Sequence, residues 1–249
     1  MLKRLKEIKW GKVFAMSVLI SFVLPIAFLI FKVITTTNEV DINTTDRTRS
    51  DYVLMLIQCL LGIVAIVLPE KASEKFKIQI PNNMYYLYVL FLYAAIFLGE
   101  IRNFYYIVPY WDTILHTFSG AMIGCIGFSI ISLFNDREFF KLNLTPFFIA
   151  FFAFCFAVML GTVWEIYEYT SDNLLKTNMQ KYRLESGELL EGKDALKDTM
   201  EDLIVDGIGA LGASTIGYLL LKNDQKGWIK SILIHKKKDK KEKKQKDDN

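Results

Sequence analysis

Residues 146–169 read PFFIAFFAFCFAVMLGTVWEIYEY, a run whose only charged side chains, Glu165 and Glu168, stand near its end. A hydrocarbon core about 30 Å thick takes roughly 20 helical residues to cross, so this stretch predicts a membrane-spanning helix. Applied outward along the chain, the same measure gives six expected spans, at residues 13–34, 52–68, 84–99, 111–134, 146–169 and 202–221. Open strands would leave unsatisfied edges in lipid, and a barrel would show shorter alternating segments, so helices are the reading that fits. The expected fold is all-α: a polytopic integral membrane protein of six helices, residues 13–221, between a basic N-terminus, 1–12, and a Lys-rich tail, 222–249.

Composition agrees. Hydrophobic residues make up 52% of the 249 and the mean hydropathy is +0.26, yet there are 30 Lys and Arg and 27 Asp and Glu. A soluble domain would spread those charges along every element, whereas here they are kept out of long apolar runs. An aromatic content of 14% with a net charge of only +3 is the opposite of the signature of disorder. The three cysteines, Cys59, Cys125 and Cys155, all fall inside apolar runs and read as small buried hydrophobes, with no disulfide framework and no metal knuckle.

The first run exceeds the apolar length of a signal peptide and no small-residue cleavage site follows Ile34, so a retained signal anchor is expected. Orientation follows from the basic residues. Lys and Arg number 5, 3, 2 and 11 in 1–12, 69–83, 135–145 and 222–249, against 2, 1 and 5 in 35–51, 100–110 and 170–201. That asymmetry predicts both termini in the cytoplasm. The tail, ending KKKDKKEKKQKDDN, has no apolar periodicity; it is expected to be disordered, either as a solvated topology signal or as a contact for anionic lipid. The bilayer is the expected partner, and no nucleic acid is.

Ionisable side chains within a span are costly and mark the places to look for function. The fourth run opens with Trp111-Asp-Thr-Ile-Leu-His116, which sets Asp112 and His116 four apart on one helical face. The fifth closes with Trp164-Glu-Ile-Tyr-Glu168, which sets Glu165 and Glu168 three apart on one face. The sixth is entered through Asp198, Asp202 and Asp206, each four apart. Under the expected topology all three clusters lie at the outer end of their spans, so seven ionisable groups from three helices converge at one membrane level.

Each cluster also has a plainer reading. Asp112, and Asp198 or Asp202, read as helix N-terminal caps favoured by the macrodipole. Glu165 and Glu168 stand at the C-terminal end of their run, where the dipole opposes an anion, and interfacial solvation is their plainer account. His116 alone would read as a packing residue. Six neighbouring carboxylates must nonetheless share protons, bind cations or pair with basic groups, and Arg102 is the nearest basic residue by topology. Carboxylates with one imidazole suit magnesium, manganese, iron or zinc. The expected site is therefore Asp112, His116, Glu165, Glu168, Asp202 and Asp206 as catalytic groups, with His116, Glu165, Glu168, Asp202 and Asp206 as ligands of a divalent metal ion.

Other signals carry less. The stretch Gly207-Ile-Gly-Ala-Leu-Gly212 has the spacing of a nucleotide-binding loop but lies in a span and follows no strand, so close helix packing is expected of it, as of Gly120 and Gly124. Tyr85, Tyr86, Tyr105, Tyr106, Tyr110, Trp111, Trp164 and Tyr167 fall at span ends, where interfacial anchoring is expected.

Taken together, Trp111-Asp-x-x-x-His116, Trp164-Glu-x-x-Glu168 and Asp198-Thr-x-x-Asp202-Leu followed by Gly207 to Gly212 resemble the YjdF-like bacterial inner-membrane family of unknown function, over roughly residues 84–221. The resemblance implies a multi-pass protein of the bacterial cytoplasmic membrane and supplies no activity. A fainter similarity is to VanZ-like proteins, which implies a role at the cell envelope. The chain has Glu168 where that pattern has Gln, and Asp206 where it has Asn. The leading expectation is a metal-dependent membrane enzyme acting on a lipid-linked or envelope substrate. The alternatives are a proton- or cation-coupled transporter and a non-catalytic scaffold, and the scaffold reading expects the clustered side chains to splay apart.

Overall fold

A computed structural model describes residues 10–37, 47–135, 143–184, 186–223 and 234–236. The described residues are predominantly helical: α1 (Trp10–Val23), α2 (Ile26–Thr35), α3 (Arg49–Lys75), α4 (Asn82–Leu92), a π-helical continuation (Tyr93–Ile101), α5 (Phe104–Ile107), α6 (Trp111–Asn135), α7 (Pro146–Leu175) and α8 (Lys193–Lys222). Two short strands, β1 (Ile78–Gln79) and β2 (His235–Lys236), pair antiparallel. Among the described residues six helical stretches are long and apolar enough to cross a membrane: Gly11–Thr35, Arg49–Lys75, Asn82–Ile101, Trp111–Asn135, Pro146–Leu175 and Lys193–Lys222. Their outward faces carry bare apolar side chains, among them Phe31, Ile34, Phe147, Phe151 and Ile208. A surface of that kind is stable against lipid and unstable against water.

The six spans match the expected ones in number and differ in length, because hydropathy marks the lipid-facing window while a helix ends where its caps stand. Thr48 closes a capping box on α3, accepting from the Asp51 amide at 3.4 Å while Asp51 Oδ2 accepts from the Thr48 amide at 2.8 Å. Thr145 caps α7 and Pro146 follows in its first turn. At its far end α7 runs on to Leu175, and Lys176 takes the left-handed conformation with its amide on Asp172 O at 3.1 Å. The first span breaks at Pro25, between α1 and α2.

Contacts between helix ends show that the spans alternate in direction. Lys12 Nζ reaches Glu70 at 4.0 Å, and β1, just after α3, pairs with β2 beyond α8. At the opposite end Arg47, just before α3, bonds to Asn103 Oδ1 at 3.1 Å. The strand β2 corrects the expectation of a tail without structure, since residues 234–236 are held by β1 and by the Ile234 amide on Ser129 Oγ at 3.1 Å. The rest of the tail beyond Asn223, and residues 1–9 of the basic N-terminus, lie outside the described residues.

The helices form two sub-bundles. Phe22, Ile66 and Val89 build one core between α1, α3 and α4, continued by Leu29, Met55 and Cys59. Phe128, Ile131, Ile149 and Ala153 build the other, between α6 and α7 with Tyr218 of α8 against it. A cavity of about 1010 Å³ lies between the sub-bundles. Its wall is apolar along Leu61, Ala65, Phe91, Ile96, Met122 and Ile123, and polar where α6 and α7 meet the loop that follows α7.

Candidate functional site

The polar end of the cavity is assembled by three helices that come unusually close. A Cβ on Gly120 would strike the backbone carbonyl of Asp206, and one on Gly209 would strike the carbonyl of Thr117. With nothing between the backbones, α8 carries its acidic face onto His116 of α6. On α7, a Cβ on Gly161 would lie 2.7 Å from Asp206 Oδ2, so this glycine leaves the space that the carboxylate fills. The expected packing of the glycine-rich stretch is thus confined to Gly209. Gly207 and Gly212 have nothing near them and belong to the outer face of α8.

His116 is the hub. Its Nδ1 lies 3.3 Å from Asp206 Oδ2, and its Nε2 lies 3.6 Å from Asp112 Oδ1 and 3.8 Å from Asp202 Oδ2. Asp206 also accepts from Ser119 Oγ at 2.8 Å. Two overlapping sets, Asp112, His116 and Asp202, and His116, Glu165 and Glu168, each bring their ligand atoms within 4.8 Å of one another. The six residues singled out in the sequence therefore converge, against the splayed arrangement that a scaffold would have.

The plainer reading holds for Asp112, which stands in the first turn of α6, and fails for the other acids on helix ends. Gly192 caps α8, which puts Asp198 and Asp202 well inside the helix rather than at its N-terminus. Since α7 continues to Leu175, Glu165 and Glu168 are interior too, 5% and 6% exposed. Among the described residues Glu168 Oε2 and Asp202 Oδ2 have no hydrogen-bond partner, and Thr199 and Gln180, the polar side chains nearest Glu165, stand beside its carboxylate without well-formed hydrogen bonds. Buried acceptors left bare carry a desolvation cost that a proton or a cation would relieve. Glu168 is fixed from its other side by Trp164 Nε1, which donates to Oε1 at 2.8 Å. Trp164 is thus a site residue rather than a simple anchor, and Trp111 likewise donates inward, to Ala94 O at 3.3 Å.

The basic partner is Lys181, not Arg102. Lys181 Nζ donates to Asp112 Oδ2 and, at 2.7 Å, to Asp198 Oδ1, whereas Arg102 is exposed and makes no ion pair among the described residues. Loop residues 176–183 are shaped to deliver that ammonium. Asp172 Oδ1 accepts from Thr177 Oγ1 at 2.6 Å and the Met179 amide at 2.8 Å, and Oδ2 from the Gln180 amide at 3.0 Å. Gln180 then donates to Thr199 Oγ1 of α8 at 2.8 Å. Burial by itself would lower the Lys181 pKa, but Asp112 and Asp198 outweigh it and hold the ammonium above the ordinary lysine range.

A further acidic group, Glu100, enters the cavity from the π-helical segment. Gln58 donates to its Oε1 at 3.1 Å, and Arg47 closes the segment by donating to Glu100 O at 2.7 Å and Ile101 O at 3.3 Å. Tyr105 also lines the cavity, and burial, followed by the charges of Glu100, Asp112, Glu168 and Asp202, pushes its phenol well above the usual range. It faces the cavity as a neutral hydroxyl. Sequence reading passed over Lys181, Asp172 and Glu100. Glu100, a lone acid closing an apolar run, was the one with a signal.

These features define a polytopic α-helical membrane protein with six candidate spans and a buried carboxylate–imidazole centre at one end of its last three helices. The chain belongs to the family described as "Predicted membrane protein (DUF2238)", which matches residues 16–223, and the YjdF-like resemblance of its motifs agrees with that membership. An uncharacterized protein of Thermotoga maritima is 32% identical over 152 residues, covering 60% of this chain and 65% of that protein. The chain thus spans just under two thirds of that relative's length. No solved structure matches it.

Proposed function

We propose that the protein is a divalent-metal-dependent membrane enzyme acting on a lipid-linked or cell-envelope substrate. The observation that carries this reading is the gathering of Glu165, Glu168 and Asp202 around His116, with Glu168 Oε2 and Asp202 Oδ2 unpartnered among the described residues, where Asp112, His116 and Glu168 reach the wall of a cavity with one polar and one apolar end. The donor set fits the group. Oxygen donors with a single imidazole suit a hard or borderline divalent ion, and Asp112, Asp202, Glu165 and Glu168 with His116 are the residues that would hold it. Bound there, such an ion would polarise a phosphoryl or carbonyl oxygen or lower the pKa of water.

The remaining work falls to the chain itself. Glu168 lines the cavity with Oε1 fixed by Trp164, so its one unpartnered oxygen, Oε2, either holds the ion or, released from it, takes up or delivers a proton. The apolar wall from Leu61 to Ile123 suits a hydrocarbon chain.

Metal analysis of detergent-purified protein tests the reading. The wild type is expected to retain a stoichiometric divalent metal and to gain thermal stability on metal addition, and His116→Ala and Glu165→Gln to lose both. Metal-free wild type with no shift at millimolar Mg²⁺, Mn²⁺ or Zn²⁺ overturns it.

The alternation of six spans and the excess of Lys and Arg in alternate loops support a cytoplasmic location for both termini, in a bacterial plasma membrane. A fluorescent reporter fused after residue 249 is expected to fold in the cytoplasm, and a phosphatase inserted in the 184–192 segment to be active outside. The reverse pattern refutes this orientation.

A further inference from the structure

His116 meets a carboxylate at both ring nitrogens, and the two sides differ in kind. At Nδ1, 3.3 Å away, Asp206 is held on every side: its other oxygen lies 2.8 Å from Ser119 Oγ, whose one proton is shared with His116 O at 2.8 Å, it is 4% exposed, and Gly161 leaves the pocket that its carboxylate fills. At Nε2 the carboxylates stand back, Asp112 Oδ1 at 3.6 Å and Asp202 Oδ2 at 3.8 Å, and Asp202 Oδ2 has no hydrogen-bond partner among the described residues. Those separations are too long for hydrogen bonds. They suit two ligand atoms that share one ion, which at about 2.1 Å from each would set them about 3 to 4 Å apart.

We infer that Asp206 is the positioning residue of the centre: it accepts the Nδ1 proton of His116 and thereby turns the Nε2 lone pair into the gap between Asp112 and Asp202. The inference rests on the metal reading above and gives Asp206, expected from the sequence to be a ligand, a place outside that ligand set. A metal-bound histidine is ordinarily oriented in this way, its second nitrogen donating to a carboxylate that fixes the tautomer. Ser119 serves Asp206 in turn, holding the carboxylate so that one oxygen faces the ring. Lys181 completes the arrangement from the other side by taking Asp112 Oδ2, which leaves Oδ1 facing Nε2.

The chain has only two histidines, His116 and His235, so selective labelling with ring-¹⁵N histidine reads the centre directly, and His235→Gln assigns the signals. With full-length protein in detergent and Zn²⁺ as the probe, loading is expected to move the Nε2 resonance and to leave Nδ1 protonated. Asp206→Asn is expected to weaken Zn²⁺ binding about 10-fold and Asp206→Ala between about 10- and 100-fold, with unchanged stoichiometry. His116→Ala is expected to bind none. Zinc on Nδ1, loss of stoichiometric binding in both Asp206 variants, or unchanged affinity in both overturns this inference and leaves the metal centre standing. A wild type that takes up no metal overturns both. Asp206→Asn keeps the shape of the side chain, so the test survives even if Asp206→Ala does not fold.

Discussion

Replacing Lys181 with methionine is expected to lower the stability of the detergent-solubilised protein by about 3 kcal/mol, the lower end of what removing one partner of a buried ion pair costs. The lower end applies because the ammonium is 29% exposed and its partners Asp112 and Asp198 are 19% and 18% exposed. Methionine keeps most of the apolar stem, so the loss isolates the charge, and the two carboxylates are left facing each other as well as Asp202. If that repulsion is the cause, Lys181→Met combined with Asp198→Asn recovers much of the loss, and a double-variant cycle gives a coupling energy rather than a sum of independent costs. The pH dependence follows from the direction of the shift. A lysine whose folded pKa is raised contributes stability that is fully present below its unfolded value of about 10.5 and is lost only as pH rises beyond it. The ammonium's own contribution is therefore not lost between about pH 7 and about pH 9, and the gap between wild type and Lys181→Met is expected not to close in that range. Equal stability of the two proteins, or a gap that closes within that range, shows that the ammonium does not hold the mouth of the centre.

Lys181 also marks where sequence reading stops. Residues on a helix carry a period, so Asp112 with His116, Glu165 with Glu168, and Asp198, Asp202 and Asp206 could each be placed on one face from spacing alone. The direction of each span then brought them to one level, and the structure gathers them. Loop residues 176–183 have no period. The reach of Lys181 depends on Asp172 folding that loop back, a pattern of side-chain-to-backbone bonds that leaves no trace in hydropathy. Helix ends escape the sequence for a related reason. The first turns of α8, from Lys193, are polar, largely exposed and below any hydropathy threshold, yet they are helical, which puts Asp202 in the interior of the helix rather than at its cap. Tyr105 and Trp164 looked like interfacial anchors because aromatic belts and aromatic site walls occupy the same positions in a span.

The crossing of α6 and α8 yields the sharpest contrast. Within Gly207-Ile-Gly-Ala-Leu-Gly212 the three glycines are alike in sequence and unlike in place: only Gly209 lies against another backbone. Gly209→Val is expected to destabilise the protein by at least about 3 kcal/mol, at or beyond the top of the usual range for overpacking. The atom in the way, the Thr117 carbonyl oxygen, belongs to the α6 backbone and has no rotamer through which to escape. Relief requires the helices to move apart, and the same movement carries Asp202 and Asp206 away from His116. The variant is therefore expected to lose bound metal together with stability, although residue 209 itself touches no ligand. Gly207→Ala and Gly212→Ala are expected to do the opposite. Each adds a methyl group to open space and removes a helical glycine, which stabilises a helix by about 0.5 to 1 kcal/mol. Unfolding and metal content measured side by side on the three variants decide the matter. Similar losses at all three positions would mean that α8 presents the whole glycine stretch to a neighbour, while a harmless Gly209→Val would remove the close crossing that builds the centre.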